Sequence, residues 1–312
     1  MRTQGFWIIL IVAVGLSACD SAPTVPASRT AQPASMGTPG PSSVPVVTPT
    51  HASGFPATGS GIPFGPFHLP DERFGQTYTF AFRQLTPESA QATLEAARRA
   101  GIHLLINLSG ARRQFQTSDG AFCLDCWKRW VEAYAGLDLA PYVADGTVIG
   151  HLMFDEPQDG NNWNGRPVPF ADIEAAAAYS RQLFPGLPAG VCGPPLFLAD
   201  GAPWTALDFA FAQYTTNKGD FAEWAASQAA SAQSQRLGLI FSINMLHGND
   251  RSPVTPEQLR AWGVALAGMP QTCGLLMWKY DESVFETPDM RAAMADVAKA
   301  AAGRSPLTCA HQ

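Results

Sequence analysis

The sequence TVIGHLMFDEPQDGNNWNG, residues 147–165, joins an apolar segment to a polar loop. Residues 147–156 have the length and composition of a buried strand, and they end in two adjacent carboxylates, Asp155 and Glu156. Acidic side chains are rarely buried unless they have a partner or a chemical role. The position of this strand in the fold therefore determines what the two carboxylates do.

Similar apolar segments recur along the chain and alternate with segments of helical periodicity. The helix expected over residues 86–101 is the most clearly marked, with Thr86 as its N-cap, Pro87 in its first turn and Gly101 after its end. The other expected helices are residues 170–184, residues 288–302 and one that begins near Phe122. The expected strands are residues 64–69, 77–82, 102–108, 147–156, 188–193, 207–214, 237–246 and 273–280.

This alternation predicts parallel strands joined by crossover helices. Seven of these strands, with residues 64–69 as a candidate eighth joined to Thr77 by only a short loop, favour a (β/α)8 TIM-type barrel of the α/β class within residues 62–312 over an open doubly wound sheet. No glycine-rich phosphate-binding motif follows the first strand, which argues against a dinucleotide-binding fold. The chain has a net charge of −6, so nucleic acid is not an expected partner. We expect a monomer without a cofactor.

The N-terminus resembles the signal peptide and lipobox of bacterial lipoproteins. An apolar stretch over residues 6–16 follows Arg2, and Leu-Ser-Ala-Cys ends at Cys19. The resemblance implies a lipoprotein signal peptide over residues 1–18 and a lipid on Cys19; an ordinary signal peptide with a chance cysteine is the alternative. We therefore expect an exported chain that is lipid-anchored to a bacterial membrane, on its periplasmic or cell-surface face.

Residues 19–61 are expected to form a disordered tether. They consist mainly of Pro, Ser, Thr, Ala and Gly, and Arg29 is the only full charge after Asp20. Such a segment cannot bury enough apolar surface to fold. If it is largely extended, it holds the barrel domain on the order of 100 Å from the membrane.

Polar and aromatic side chains collect at the C-terminal ends of the predicted strands, where the active site of a TIM barrel lies. Amides, aromatic faces and one or two acids suit a ligand that carries many hydroxyl groups. Trp163, in the loop beside the two acids, is a further candidate for a sugar-stacking platform. The strand-end residues are Arg83, Asn107, Asp155, Glu156, Gln213, Tyr214, Asn244, Trp278, Tyr280 and Asp281.

The chain resembles the (β/α)8 glycoside hydrolases in three short motifs: FDEP at 154–157, WNG at 163–165 and LLMWKYD at 275–281. The resemblance implies that Glu156 is the general acid and Trp278 a sugar platform. Asp155 stands where many of these enzymes have Asn. Retaining members carry a nucleophilic Glu at the end of the penultimate strand, where this chain has Asn244. The second carboxylate is then Asp155, Asp281 or a loop acid, or there is none.

The leading hypothesis is a membrane-tethered glycoside hydrolase that acts on an extracellular or envelope polysaccharide by carboxylate general acid/base catalysis. The alternative is a catalytically silent barrel lipoprotein that binds glycans or scaffolds envelope proteins, with the two acids as a structural pair bonded to Arg83, Arg112 or a loop amide. A third hypothesis is a metal-assisted hydrolase that uses the acids and His151. The sequence has no H-x-H or H-E-x-x-H motif, so we expect no metal site.

The cysteines other than Cys19 suggest two disulfides in an oxidising compartment. Cys123 and Cys126 lie three residues apart at a helix start, which is within bridging distance. Cys273 begins the last strand at the bottom of the barrel, and the last helix runs back to that end before Cys309. We expect these two to pair as well, which leaves Cys192 outside both bridges.

Metabolic labelling tests the lipid attachment. A fatty acid analogue should label the native chain and should not label the Cys19→Ser variant, because the thiol is the acceptor. Equal labelling of the two chains would contradict lipidation at Cys19.

Overall fold

The computed structural model describes residues 61–246 and 252–311. The expected signal peptide, Cys19 and nearly all of the expected tether lie outside these residues. Within them, no helix combines the length and apolar character that crossing a membrane requires.

Eight parallel strands form one nearly closed barrel in the order β1-β8-β7-β6-β5-β4-β3-β2. The first and last strands of this order meet through a bridge between Phe67 and Phe82, and the Thr79 N–H donates to the Phe64 carbonyl at 2.9 Å. The predicted TIM-type fold is confirmed. The strands are β1 Phe64–Pro66, β2 Phe80–Gln84, β3 His103–Asn107, β4 Val148–Asp155, β5 Ala189–Cys192, β6 Phe209–Tyr214, β7 Gly238–Asn244 and β8 Thr272–Trp278.

Helices surround the barrel, and the first of them begins later than predicted. Thr86 and Ser89 exchange hydrogen bonds in a separate turn, so α1 begins at Ala90 and Thr86 is not its N-cap. Gly101 ends α1 as expected, in the left-handed conformation with φ 65°. The helices are α1 Ala90–Ala100, α2 Leu124–Val131, α3 Ala140–Ala144, α4 Phe170–Leu183, α5 Pro195–Leu198, α6 Phe221–Gln235, α7 Pro256–Gly268, α8 Glu282–Phe285 and α9 Pro288–Ala302.

Aromatic rings fill the interior of the barrel. Phe67, Phe82 and Phe211 pack against one another there, with ring centres 4.7 and 5.7 Å from that of Phe67. Phe209 fits only because two facing positions are glycine: a Cβ at Gly190 would lie 2.4 Å from its ring, and a Cβ at Gly150 would lie 2.8 Å from it. The interior is therefore a packed core, and a ligand has access only to its ends.

The C-terminal segment closes the bottom of the barrel. The predicted bridge between Cys273 and Cys309 is present, with a Cα–Cα distance of 5.2 Å, and His311 donates its N–H to Asp208 at 2.9 Å. The Cys123–Cys126 bridge is also present, so both predicted disulfides are confirmed. Cys192 takes part in neither bridge and lies in the interior cluster.

The two bridges should differ in their contribution to stability. Cys273 and Cys309 are 36 residues apart, so removing their bridge by double alanine substitution should lower the free energy of unfolding by about 3–4 kcal/mol on the chain-entropy model. The Cys123→Ala/Cys126→Ala variant is the matched control, with an expected loss of about 2 kcal/mol because its loop is much shorter. Chemical denaturation under non-reducing conditions measures both losses. A larger loss in the control would contradict the prediction.

Candidate active site

The C-terminal ends of the eight strands form one end of the barrel, which we call the mouth. A β-bulge turns Asp155 into it. Leu152 pairs with Gly190, and Asp155 pairs with Cys192. Between these two pairs β4 advances by three residues and β5 by only two, so β4 contains one extra residue. Gly190 and Cys192 both face the interior, so their register partners face it as well. Without the extra residue, regular alternation would place Asp155 on the helix-facing side.

The bulge also sends Phe154 outward into an aromatic cluster that supports the next loop. Phe154 packs there with Phe122 and Trp163, at ring-centre distances of 4.8 and 6.4 Å. The Trp163 indole N–H donates to the backbone carbonyl of Glu156 at 2.9 Å. Trp163 is only 2% exposed, so it supports Glu156 from below and presents no open ring face, contrary to the expectation that it is a sugar platform.

Glu156 is held in an uncommon backbone conformation. Its φ is 45°, in the left-handed region that non-glycine residues seldom adopt, and its N–H donates to the Cys192 carbonyl at 3.0 Å. The Asn162 side-chain amide donates to Glu156 Oε2 at 3.0 Å. Such outliers cost on the order of 1–3 kcal/mol and concentrate at functional sites. Backbone and side chain of Glu156 are thus both fixed by neighbours on β5 and in the following loop.

Arg112 connects the two carboxylates. Its Nη2 lies 3.5 Å from Asp155 Oδ2 and 4.0 Å from Glu156 Oε2, and its Nη1 donates to Asn162 Oδ1 at 2.7 Å. The guanidinium lies over Trp163, 5.5 Å from the ring centre. Two acids therefore face one cation in a partly buried site, and Arg112, not Arg83, is their partner.

Burial raises the pKa of Glu156 to about 7, and the negative charge of Asp155 adds to this effect. The hydrogen bond from Asn162 and the charge of Arg112 act in the opposite direction and are the weaker influences. Glu156 is thus protonated in a substantial fraction of molecules near neutral pH. A carboxyl group in this state can donate a proton to a bound ligand.

Four of the expected binding residues lie at interior-facing ends of their strands. Asn107 and Asn244 are buried, and their Oδ1 atoms accept from the N–H groups of Ser109 at 2.8 Å and Leu246 at 3.1 Å. Gln213 follows the interior residue Phe211 by two positions on β6. Trp278 belongs to the interior cluster, with its ring centre 5.0 Å from that of Phe67. Together with Asp155 they surround the mouth.

Two tyrosines expected at the mouth point elsewhere, which corrects that expectation. Tyr214 follows Gln213 directly and so faces the helices, where it packs on Trp224 and donates its hydroxyl to the Gly219 carbonyl at 2.7 Å. Tyr280 packs on Phe285 and donates its hydroxyl to Glu286 at 3.0 Å. Both hydroxyls thus have acceptors outside the mouth.

Arg83 and Asp281 are also committed to local partners. Arg83 forms a salt bridge with Asp71 and lies 5.1 Å from the centre of the Phe74 ring. Asp281 is the N-cap of α8 and accepts from the Ser283 N–H at 2.9 Å and hydroxyl at 2.6 Å. These hydrogen bonds lower the pKa of Asp281, so it remains ionised. Its geometry is that of a helix cap, which weakens its candidacy as the second catalytic carboxylate.

His151 lies on the other side of β4 from Asp155. Its Nδ1 is 2.9 Å from the Ser180 hydroxyl on α4, and its ring stacks on Trp127. Burial lowers the pKa of His151 to about 3. Within residues 61–246 and 252–311, no group of three or more His, Cys, Asp and Glu side chains could hold a metal ion. The geometry does not favour a metal-assisted site built on His151.

Three residues near the mouth were not anticipated as site residues. Asn162 holds Glu156, as described above; His68 lies with its ring centre 6.4 Å from that of Trp278; and Lys279 Nζ lies 6.0 Å from the Trp278 ring centre. Asn162 lies in the stretch 147–165 that opens the sequence analysis, and Lys279 lies in the LLMWKYD motif at 275–281. The signal was therefore present, but only the folded loops show which neighbours these side chains contact.

No protein-family model and no curated protein matches this sequence. Solved structures with a similar fold include a glucosidase from Croceicoccus marinus, with a TM-score of 0.56 and 15% identity over 79% of this chain and 69% of that chain. Gas2 of Saccharomyces cerevisiae in complex with a compound has a TM-score of 0.53 and 12% identity, over 82% and 68% of the two chains. A putative alpha-L-fucosidase from Bacteroides thetaiotaomicron has a TM-score of 0.50 and 10% identity, over 82% and 98%. At these identities the likeness shows a shared (β/α)8 barrel fold.

The raised pKa of Glu156 predicts a pH-dependent difference in stability. The unfolded chain ionises Glu156 near pH 4.3 and the folded chain near pH 7, so ionisation costs the native fold stability as the pH rises through this window. Glutamine does not ionise. The free energy of unfolding of Glu156→Gln minus that of the native chain should therefore grow between these pH values, by on the order of 1–3 kcal/mol, and then level off.

Urea denaturation from pH 4 to pH 8 measures this difference. Glu257→Gln is the matched control, because it removes a carboxyl group from an exposed position at the start of α7. Parallel pH profiles for Glu156→Gln and the native chain would contradict a raised pKa.

Proposed function

We propose that the chain is a glycoside hydrolase that cleaves an extracellular or envelope polysaccharide, with Glu156 as the general acid. The observation that carries the proposal is the position of Glu156 at the end of β4, beside Asp155 and with a raised pKa. Glycosidic bonds are broken by a carboxylic acid that protonates the leaving oxygen, helped by a second carboxylate. The glycosidase neighbours in fold support this reaction class.

Asp155 is the best candidate for the second carboxylate. It faces the mouth because of the bulge, and its Oδ2 lies 3.5 Å from Nη2 of Arg112. Asp281, the other named candidate, is the cap of α8. An ionised Asp155 would stabilise the positive charge that develops on the sugar ring or activate a water molecule. Its separation from Glu156 in the substrate complex decides between retention and inversion.

The substrate contacts in this proposal come from the interior-facing residues of the mouth. Trp278 supplies the aromatic surface for the C–H face of a sugar, and Asn107, Gln213 and Asn244 supply amides for its hydroxyls. Amide groups both donate and accept hydrogen bonds, as hydroxyl groups do. The set therefore suits a carbohydrate.

We further propose that the barrel is exported and held at a bacterial membrane through Cys19 and the tether over residues 19–61. The two disulfides support export, because such bridges persist in oxidising compartments. This placement would bring the mouth to polymers of the cell envelope.

One observation favours the second candidate function, a catalytically silent glycan-binding or scaffolding barrel. Arg112 contacts both carboxylates, as it would if Asp155 and Glu156 were a structural ion pair. A silent barrel would keep Trp278 and the amides as binding groups. It would bind glycans equally well without the acids.

Substitution of the three acids separates these functions. Glu156→Gln should lower kcat on the cleaved polysaccharide by about 10²–10⁴-fold, the usual contribution of a general acid, and leave the Kd within severalfold. Asp155→Asn should also lower kcat, and native activity should fall as the pH rises through about 7, because Glu156 loses its proton there. Release of reducing ends from a panel of envelope polysaccharides measures turnover, and calorimetry measures binding.

Asp281→Asn is the matched control for these changes. Asparagine is also a good N-cap, so α8 should be preserved and kcat should remain within severalfold of the native value. Turnover unaffected by Glu156→Gln would exclude Glu156 as the acid. Binding by the native chain without any turnover would favour the silent barrel.

A further inference from the structure

Part of the mouth presents buried polar atoms that the rest of the structure does not satisfy. Gln213 Nε2, Ser242 Oγ and His68 Nε2 are buried and have no hydrogen-bond partner within residues 61–246 and 252–311. Ser242 is fully buried on β7. A buried polar group without a hydrogen-bond partner destabilises the fold, so such groups call for an explanation.

These atoms lie on neighbouring strands. Gln213 of β6 and Ser242 of β7 are register partners, and adjacent strands are about 4.8 Å apart. Asn244 of β7 is in turn the register partner of Trp278 on β8, and the His68 ring follows β1 at 6.4 Å from Trp278. They form one continuous surface from β6 to β1, which we call the recognition half.

The recognition half also carries a positive charge. Lys279 Nζ lies 6.0 Å from the ring centre of Trp278, and Lys279 makes no salt bridge in the part of the chain that the structure describes. Its acidic neighbour Asp281 is bonded to Ser283. Among the other cations near this surface, Arg83 is paired with Asp71, and Lys218 donates to the Gln213 carbonyl at 2.7 Å. Lys279 is therefore the cation beside Trp278 that can pair with a negatively charged group of a ligand.

The acids lie across the mouth from this surface. In the cyclic strand order, β4 and β8 are four positions apart, so Asp155 and Glu156 stand opposite Trp278 and Lys279. A negatively charged ligand group would be repelled by Asp155 and attracted by Lys279. A ligand with a negative charge on one side of its ring should therefore bind in one orientation, with the charged side towards Lys279.

We infer that the recognition half binds the carboxylate of an acidic sugar, so that the polysaccharide contains uronic acid units. The Gln213 amide and the Ser242 hydroxyl can donate hydrogen bonds to ligand oxygens, and Lys279, beside Trp278 on the same surface, supplies the counter-charge for a carboxylate. A neutral sugar would offer no negative charge to the Lys279 ammonium group. The inference names the substrate class of the proposed hydrolase and rests on that proposal.

Binding to matched glycans tests the inference. The probes are oligosaccharides of polygalacturonate, polymannuronate and hyaluronan, each paired with its carbodiimide-reduced neutral counterpart, and the protein is Glu156→Gln to prevent turnover. We expect at least one carboxylated probe to bind about tenfold or more tightly than its neutral counterpart. In the Lys279→Gln background this preference should be lost, while binding of the neutral form should change little.

Lys299→Gln is the matched control, because it removes the same charge from an exposed position on α9. It should leave the preference for the carboxylated form intact. Equal binding of the charged and neutral forms by every pair, or a preference that Lys279→Gln leaves unchanged, would overturn the inference.

The same reagents keep the two proposals apart. Turnover by the native chain that is indifferent to the carboxylate would overturn the uronate inference and leave the hydrolase standing. Binding that depends on Lys279, without turnover by the native chain, would uphold the acidic ligand and overturn the hydrolase.

Discussion

The packing of phenylalanine rings inside the barrel is the constraint on which the site depends. Phe67, Phe80, Phe82, Phe209 and Phe211 occupy the interior so fully that glycine is required beside Phe209. Polar side chains have no room below this layer and collect above it, at the C-terminal ends of the strands. The rings also set the floor of the mouth, because Phe67 contacts both Phe82 and Trp278. The depth of the mouth is therefore set by how far the phenylalanine rings fill the interior of the barrel.

Charge balance is the second organising feature. Asp155, Glu156 and Arg112 would carry a net negative charge in a partly buried space if both acids were ionised, and burial makes this unfavourable. A proton on Glu156 relieves the imbalance, which is the physical meaning of its raised pKa. The arrangement that stabilises the loop thus also prepares a carboxyl group to act as an acid. The same contacts are therefore compatible with a structural ion pair and with the proposed general acid.

The sequence was sufficient for the barrel and for both disulfides, because each rests on patterns that local physics determines. Alternating strands and helices admit few closed topologies, and the topology then brought Cys273 to Cys309. Side-chain directions were less predictable. Strand alternation should already have excluded Tyr214 once Gln213 was assigned to the mouth. The bulge that aims Asp155 inward and the capping role of Asp281 depend on loop geometry, which no periodicity reveals.

The bridge between Cys273 and Cys309 has a consequence for how the molecule meets its surroundings. It fastens the C-terminal segment beneath the barrel, and a cleft of about 380 Å³ at that end is lined by Gly61 as well as by Cys309. The first and last described residues therefore both lie at the bottom of the barrel, opposite the mouth. An anchor that precedes Gly61 would therefore be attached at the bottom of the barrel and not at the mouth. If the proposed anchoring is correct, a long polymer could enter and leave the mouth without crossing the tether.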